Sequence, residues 1–157
     1  MMPRRFFLFV ALVCLCGAGC ARPYAAHLPT APWVPGAEQS MTTKALVFSY
    51  QTATNRNLSG IRGSATILPT AVPPGATRFE RIVLKVYVRD DTGRVLDTYT
   101  LPCLPRPVNE PIGFELLLDI PPDADRETYY LSFGYSLVLK GDDPDSPSVI
   151  RQEDAGF

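Results

Sequence analysis

The chain has 157 residues, 16 of them proline, with 15 Lys and Arg against 16 Asp and Glu. That length suits one domain around one hydrophobic core and leaves no room for a second enzymatic domain, and the near-neutral balance gives no footprint for nucleic acid or an anionic lipid surface. So many prolines exclude long helices, because an interior proline removes a hydrogen bond and clashes with the preceding turn, and they suit a loop-rich, all-β chain.

The first segment reads as an export signal. Met1-Met2-Pro3-Arg4-Arg5 is a charged start, Phe6 to Cys16 an apolar block, and Gly17-Ala18-Gly19 a run of small residues before Cys20. The apolar block is well short of the roughly 20 residues of a membrane-spanning helix, so cleavage is expected in place of a permanent helical anchor. Gly17-Ala18-Gly19-Cys20 resembles the lipobox of bacterial lipoproteins, with Gly17 where that family usually has leucine. The resemblance implies removal of residues 1–19 and lipidation of the Cys20 thiol. Acyl chains would then hold the protein on a membrane, each buried methylene contributing about 0.8 kcal/mol. Ala21, in place of an aspartate, implies sorting to the outer membrane, facing the periplasm. Subtracting Arg4 and Arg5 from the 15 basic residues leaves 13 against 16 acids in the mature part.

Residues 20–40 (CARPYAAHLPTAPWVPGAEQS) carry four prolines and no hydrophobic period, which predicts a lipidated N-terminus and semi-extended tether reaching about 60 Å at most. Tyr24 and Trp33 could anchor at the bilayer interface, or Trp33 could pack on the domain. His27, the single histidine, lies in this segment, where a catalytic or metal-ligating role would lack an ordered site.

From residue 41 to 157 the sequence alternates with period two, punctuated by Pro, Gly and Asp. Strands are predicted at 44–51, 60–68, 80–89 and 95–101. Phe114, Leu116, Leu118 and Ile120 form a further inward row, and the cleanest alternation runs over 129–139, with Tyr129, Leu131, Phe133, Tyr135, Leu137 and Leu139 on one face. A weaker strand is expected near 147–152. Six to seven strands with no helical period predict an all-β fold, a two-sheet antiparallel immunoglobulin-like sandwich. Around Asp90-Asp91-Thr92-Gly93-Arg94, a three-residue loop with Gly93 left-handed predicts a type I turn with a glycine bulge, pairing Val88 with Leu96 and Val86 with Thr98.

The stretch from Phe79 to Val95 opens on an aromatic, alternates Ile, Val and Leu, and places an Asp before a turn glycine. It resembles the FxLYD-type immunoglobulin-like domains of bacterial envelope proteins, with Val88-Arg89 standing for the Leu-Tyr of that family. The resemblance implies a β-sandwich and carries no catalytic motif.

Of the four cysteines, Cys14 and Cys16 leave with the signal and Cys20 takes lipid. Cys103 then has no intramolecular partner, and its apolar setting of Leu101, Pro102, Leu104 and Pro105 predicts a buried, inert thiol. Arg81, Lys85, Tyr87 and Arg89, with Tyr99 expected opposite Lys85, form a candidate binding face for an acidic protein, a glycan or peptidoglycan, although a solvated sheet face would look the same. The acidic clusters Asp90-Asp91, Asp123 with Asp125, and Asp142-Asp143-Asp145 lack the spacing of a recognised calcium loop and read as turn residues. No Gly-x-Ser-x-Gly, His-Glu-x-x-His, Walker loop or Cys-x-x-Cys occurs in the mature part, so neither a catalytic residue nor a cofactor is expected. The functional expectation is a lipid-anchored, non-catalytic structural or protein-interaction module with an envelope protein partner. The alternative is a lipoprotein that binds glycan, peptidoglycan or a metal ion through the Arg81–Arg89 face or the Asp142–Asp145 loop.

Overall fold

The computed structural model describes residues 25–55, 58–120 and 129–155; the signal and Cys20 lie outside them, as do Asp123 and Asp125. Two antiparallel sheets pack face to face as a β-sandwich, with ten strands among the described residues. These are β1 (Ala31–Pro32), β2 (Glu38–Thr42), β3 (Leu46–Asn55), β4 (Leu58–Ile67), β5 (Arg78–Arg89), β6 (Val95–Cys103), β7 (Arg106–Pro107), β8 (Ile112–Leu118), β9 (Tyr130–Lys140) and β10 (Val149–Glu153). One sheet has the order β2-β3-β4-β8. In the other, β5 lies between β9 and β6, β7 extends the β6 side, and β1 and β10 share the far side of β9.

The seven predicted strands are β3, β4, β5, β6, β8, β9 and β10, each within a few residues of its expected place. The architecture is the expected two-layer sandwich, and the connection order is the chain's own, since β3 and β4 pair with each other along their full length.

Alternation decides which side chains meet between the sheets. From β9, Leu131, Phe133, Tyr135, Leu137 and Leu139 all point inward and are buried. Phe48 of β3 stacks on Phe133 with ring centroids 4.3 Å apart, and Tyr50 meets the same ring edge-on at 4.9 Å. Phe114 of β8 completes the group at 5.9 Å from Phe133. Such ring pairs add about 0.5–1.5 kcal/mol each beyond the area they bury, so this quartet ties the two layers together.

Two bulges reset the face that each strand presents. Across from β9, Phe79 pairs with Leu139 and Arg81 with Val138, so Glu80 is the extra residue and both Phe79 and Ile82 can face the core. In the β5–β6 hairpin, Gly93 has the expected positive φ of 92°, its amide donates to Asp90 O at 3.2 Å, and Asp90 N donates to Arg94 O at 3.1 Å. Beyond the turn the predicted register is corrected. Arg89 pairs with Val95, but Val88 pairs with Asp97 and Val86 with Tyr99, leaving Leu96 as a bulge. The cause is packing: Val95 is buried on the outer face of the sheet, whereas Tyr99, Leu101 and Cys103 pack against the core on the inner face. All four positions are odd-numbered, and one extra residue between them lets both sets be satisfied.

The segment read as a tether also differs. From Ala25 onward it is part of the sandwich: β1 pairs with β9, β2 pairs with β3, and Trp33 is 3% exposed in the core between them. Trp33 N donates to Tyr129 O, and Gly36 N to Thr52 O, so residues 31–42 carry the chain from one sheet to the other along one side.

Candidate functional site

The proposed basic and aromatic face is largely covered by the chain's own ends. Ala25, Leu28, Tyr87 and Val95 form a small second apolar cluster, with Ala155 against it, on the outer side of the sheet that contains β5 and β9. Ala25 N donates to Gly93 O at 3.3 Å, and Leu28 N closes a turn on Ala25 O at 2.9 Å. His27 Nε2 lies 2.7 Å from the Asp154 carbonyl oxygen, joining the two ends over the sheet.

Beneath them Tyr87 is 2% exposed. Its hydroxyl donates to the Asp154 carboxylate, which also accepts from Lys85 Nζ, and Ala155 N donates to the Tyr87 hydroxyl at 3.3 Å. Arg89 is 5% exposed, and its guanidinium donates to Ser132 Oγ at 2.7 Å. Lys85 and Tyr87 therefore act together in fastening residues 154–155 to the sheet, whereas Arg89 bonds within the sheet, to Ser132 of β9.

Arg81 remains exposed at the other end of β5, beside a shallow hollow of about 470 Å3 formed with Glu80, Val138, Ser148 and Ile150. Tyr99 lies on the opposite face from all of these. Because of the Leu96 bulge it pairs with Val86 and packs on the core, where its hydroxyl accepts a 2.6 Å bond from Asp119 N and closes the seam between β6 and the end of β8. Burial pushes its phenol up to about 12, with the Asp97 carboxylate adding to the shift.

The outer face of the four-stranded sheet is open. Three of the rows that its side chains form straight across the register shape it. Ser40, Ser49, Ser64 and Gly113 make a row of small residues; Glu38, Gln51, Arg62 and Glu115 make a charged row; Ala53, Gly60 and Leu117 make an apolar one. Small residues beside long ones leave a trough of about 840 Å3 along the first two rows. Arg62 donates to Gln51 Oε1 at 3.2 Å, and Gln51 Nε2 to Gly36 O at 2.8 Å, which stiffens its wall. The trough runs into a smaller hollow of about 200 Å3 beside Leu58 and Leu117, which are 59% and 67% exposed. The Tyr50 and Phe114 rings point the other way, into the core against Phe133, and are 2% and 7% exposed, so they offer no stacking platform. This face escaped sequence reasoning, since its rows exist only once strand register is known.

The acidic turns use their carboxylates locally. Asp90 Oδ1 accepts from Thr92 N, Thr92 Oγ1 and Arg94 N; partial burial works against its ionisation, but these bonds win and hold the carboxyl below its ordinary value. Asp143 Oδ1 accepts from Asp145 N at 3.0 Å, and Asp142 Oδ1 from Thr77 Oγ1 at 2.7 Å. Among the described residues no group of three or more His, Cys, Asp or Glu side chains is placed to hold a metal ion. Cys103 is a half-buried free thiol whose pKa is raised by burial, which keeps it protonated and unreactive near neutral pH. No helix among the described residues is long and apolar enough to cross a membrane.

No protein-family model matches this chain, and neither does any curated protein or solved structure.

Proposed function

We propose that the chain is a bacterial envelope lipoprotein, anchored through Cys20, whose β-sandwich works without catalysis by docking a partner protein on the outer face of its four-stranded sheet. The observation that carries this reading is the contrast between the two outer faces. One is fastened under residues 25–28 and 153–155, whereas the other leaves Leu58 and Leu117 exposed beside an open trough and the edge of β8, which no strand among the described residues covers. Exposed apolar side chains beside a polar rim and an unpaired strand edge suit protein docking and strand addition. A glycan site would be expected to present an exposed aromatic platform, and the trough has none among the described residues. The likeness of residues 79–95 to FxLYD-type domains belongs to the same reading, as does the outer-membrane, periplasm-facing location.

The test uses the full-length protein in bacterial membranes with a photo-reactive residue at position 117, and in a second sample at position 150 on the other face. A discrete adduct is expected from position 117, lost on Leu58→Arg, with none from position 150. Equal labelling from both positions would sink the docking face. The intact mass of the detergent-extracted protein reads the anchor separately: a chain starting at Cys20 plus acyl groups supports it, and retention of residues 1–19 overturns it.

A further inference from the structure

We propose that the end of the sandwich carrying the β5–β6 turn lies against the lipid headgroups, held there by a leash too short to let the domain stand away from the bilayer. The inference rests on the Cys20 anchor proposed above and adds an orientation that the anchor alone does not give.

The argument starts from where the fixed part of the chain begins. Ala25 is fully buried and Leu28 is 3% exposed. Ala25 N is bonded to Gly93 O of the turn, and residues 31–32 then join the sheet as β1. A segment that composition reads as a free tether is thus fastened to the body from its fifth residue after Cys20. Five residues span at most about 18 Å even when fully extended, because each advances the chain by no more than ~3.6 Å. The acylated Cys20 sits at headgroup level, so Ala25 and the turn to which it is bonded stay within that distance of the membrane.

The rest of the domain follows from strand direction. β5 runs from Arg78 to Arg89 and ends at this turn, whereas the 141–148 connection lies at the other end of the strand, where Thr77 N donates to Lys140 O. Twelve strand residues rise about 40 Å. The 141–148 loop therefore projects away from the bilayer, and the trough on the four-stranded sheet stands at the side of the domain, within reach of a partner in the same membrane.

The turn end would not hold a membrane unaided. In 89–97 Asp90, Asp91 and Asp97 outnumber Arg89 and Arg94, of which Arg89 is buried, and Leu96 at 40% exposure is the one large exposed apolar side chain. Apposition is imposed by the leash, and lengthening the leash should release it.

The experiment uses lipidated protein in phosphatidylcholine vesicles that contain a headgroup spin-labelled lipid. In a Cys103→Ser background, a fluorophore is attached at Thr92→Cys or at Asp145→Cys. Quenching at 92 is expected to exceed that at 145 by at least about twofold, given the ~40 Å between the two ends. Inserting roughly 20 Gly-Ser residues between Ala21 and Arg22 adds about 25 Å of average reach and should erase most of the difference. Equal quenching at the two positions in protein that floats with the vesicles would overturn the orientation while leaving the anchor intact. Protein that fails to float and lacks acyl mass would overturn both.

Discussion

Tyr87 packs against the bare backbone of Gly134 on the neighbouring strand. A Cβ at Gly134 would stand 2.9 Å from Tyr87 Cε2 and 2.9 Å from the Glu153 carbonyl oxygen. Tyrosine over glycine is a device by which an aromatic ring covers backbone that has no side chain of its own.

Gly134→Ala is therefore expected to push the Tyr87 ring off the sheet, with a loss of about 1–3 kcal/mol typical of overpacking. The urea midpoint should fall accordingly. A midpoint equal to that of the native protein would mean that the C-terminal strap moves aside freely.

The strap should also be energetically coupled to the sheet. Asp154→Ala leaves the Tyr87 hydroxyl without its carboxylate acceptor, and stranding a buried hydroxyl costs about 1–3 kcal/mol. Tyr87→Phe removes the group that would be stranded, so the double variant should lose clearly less than the two single losses added together. The Lys85–Asp154 pair is about a quarter exposed on each side and contributes little by itself. Strict additivity in a double-mutant cycle would count against the strap as a unit.

At the hairpin, Gly93 has φ 92°, a conformation that other residues adopt at a cost. Gly93→Ala should lower stability by about 1 kcal/mol. Because Gly93 O also receives Ala25 N, the same change should speed proteolysis near residues 25–28. Cleavage there at the native rate would argue that this contact does not depend on the turn.

These sites separate what was legible in the sequence from what was not. β9 was plain because Leu131, Phe133, Tyr135, Leu137 and Leu139 all face one core. The turn at Gly93 was equally plain, since only a few residues take positive φ. The register past it was hidden, because Val95 and Leu101 look alike in a pattern yet bury on opposite faces, and only a bulge at Leu96 reconciles them. β2 was missed for having a single buried apolar residue, Met41. Residues 25–35 look like a tether in sequence because Ala25, Leu28 and Trp33 bury without any period, among prolines that suggest extended chain. The open trough left no trace, because its rows join residues from four strands.

High pH should expose the buried phenols. Tyr50, Tyr99 and Tyr135 are each pushed up to about 12 by burial, with nearby Asp97 and Glu153 carboxylates adding to the effect at Tyr99 and Tyr135. A folded-state pKa above the unfolded value of about 10 means that the folded state keeps its protons longer, so this contribution to stability is complete below pH 10 and is lost as pH rises towards 12. The tyrosinate absorbance of these three phenols, read as the difference from variants in which each is Phe, should accordingly rise in one cooperative step with unfolding. A gradual rise in folded protein would show that water reaches these hydroxyls.

Tyr50 offers the sharpest version of that test. Its ring is held between the sheets against Phe133, but its hydroxyl is buried with no hydrogen-bond partner among the described residues. An unsatisfied buried hydroxyl costs about 1–3 kcal/mol, whereas a phenylalanine would keep the ring contact and bring no polar group to desolvate. Tyr50→Phe is therefore expected to leave the protein as stable as before or more so, with a higher melting temperature at neutral pH and a smaller loss above pH 10. A clear drop in melting temperature would mean that the hydroxyl is satisfied in solution by a water molecule.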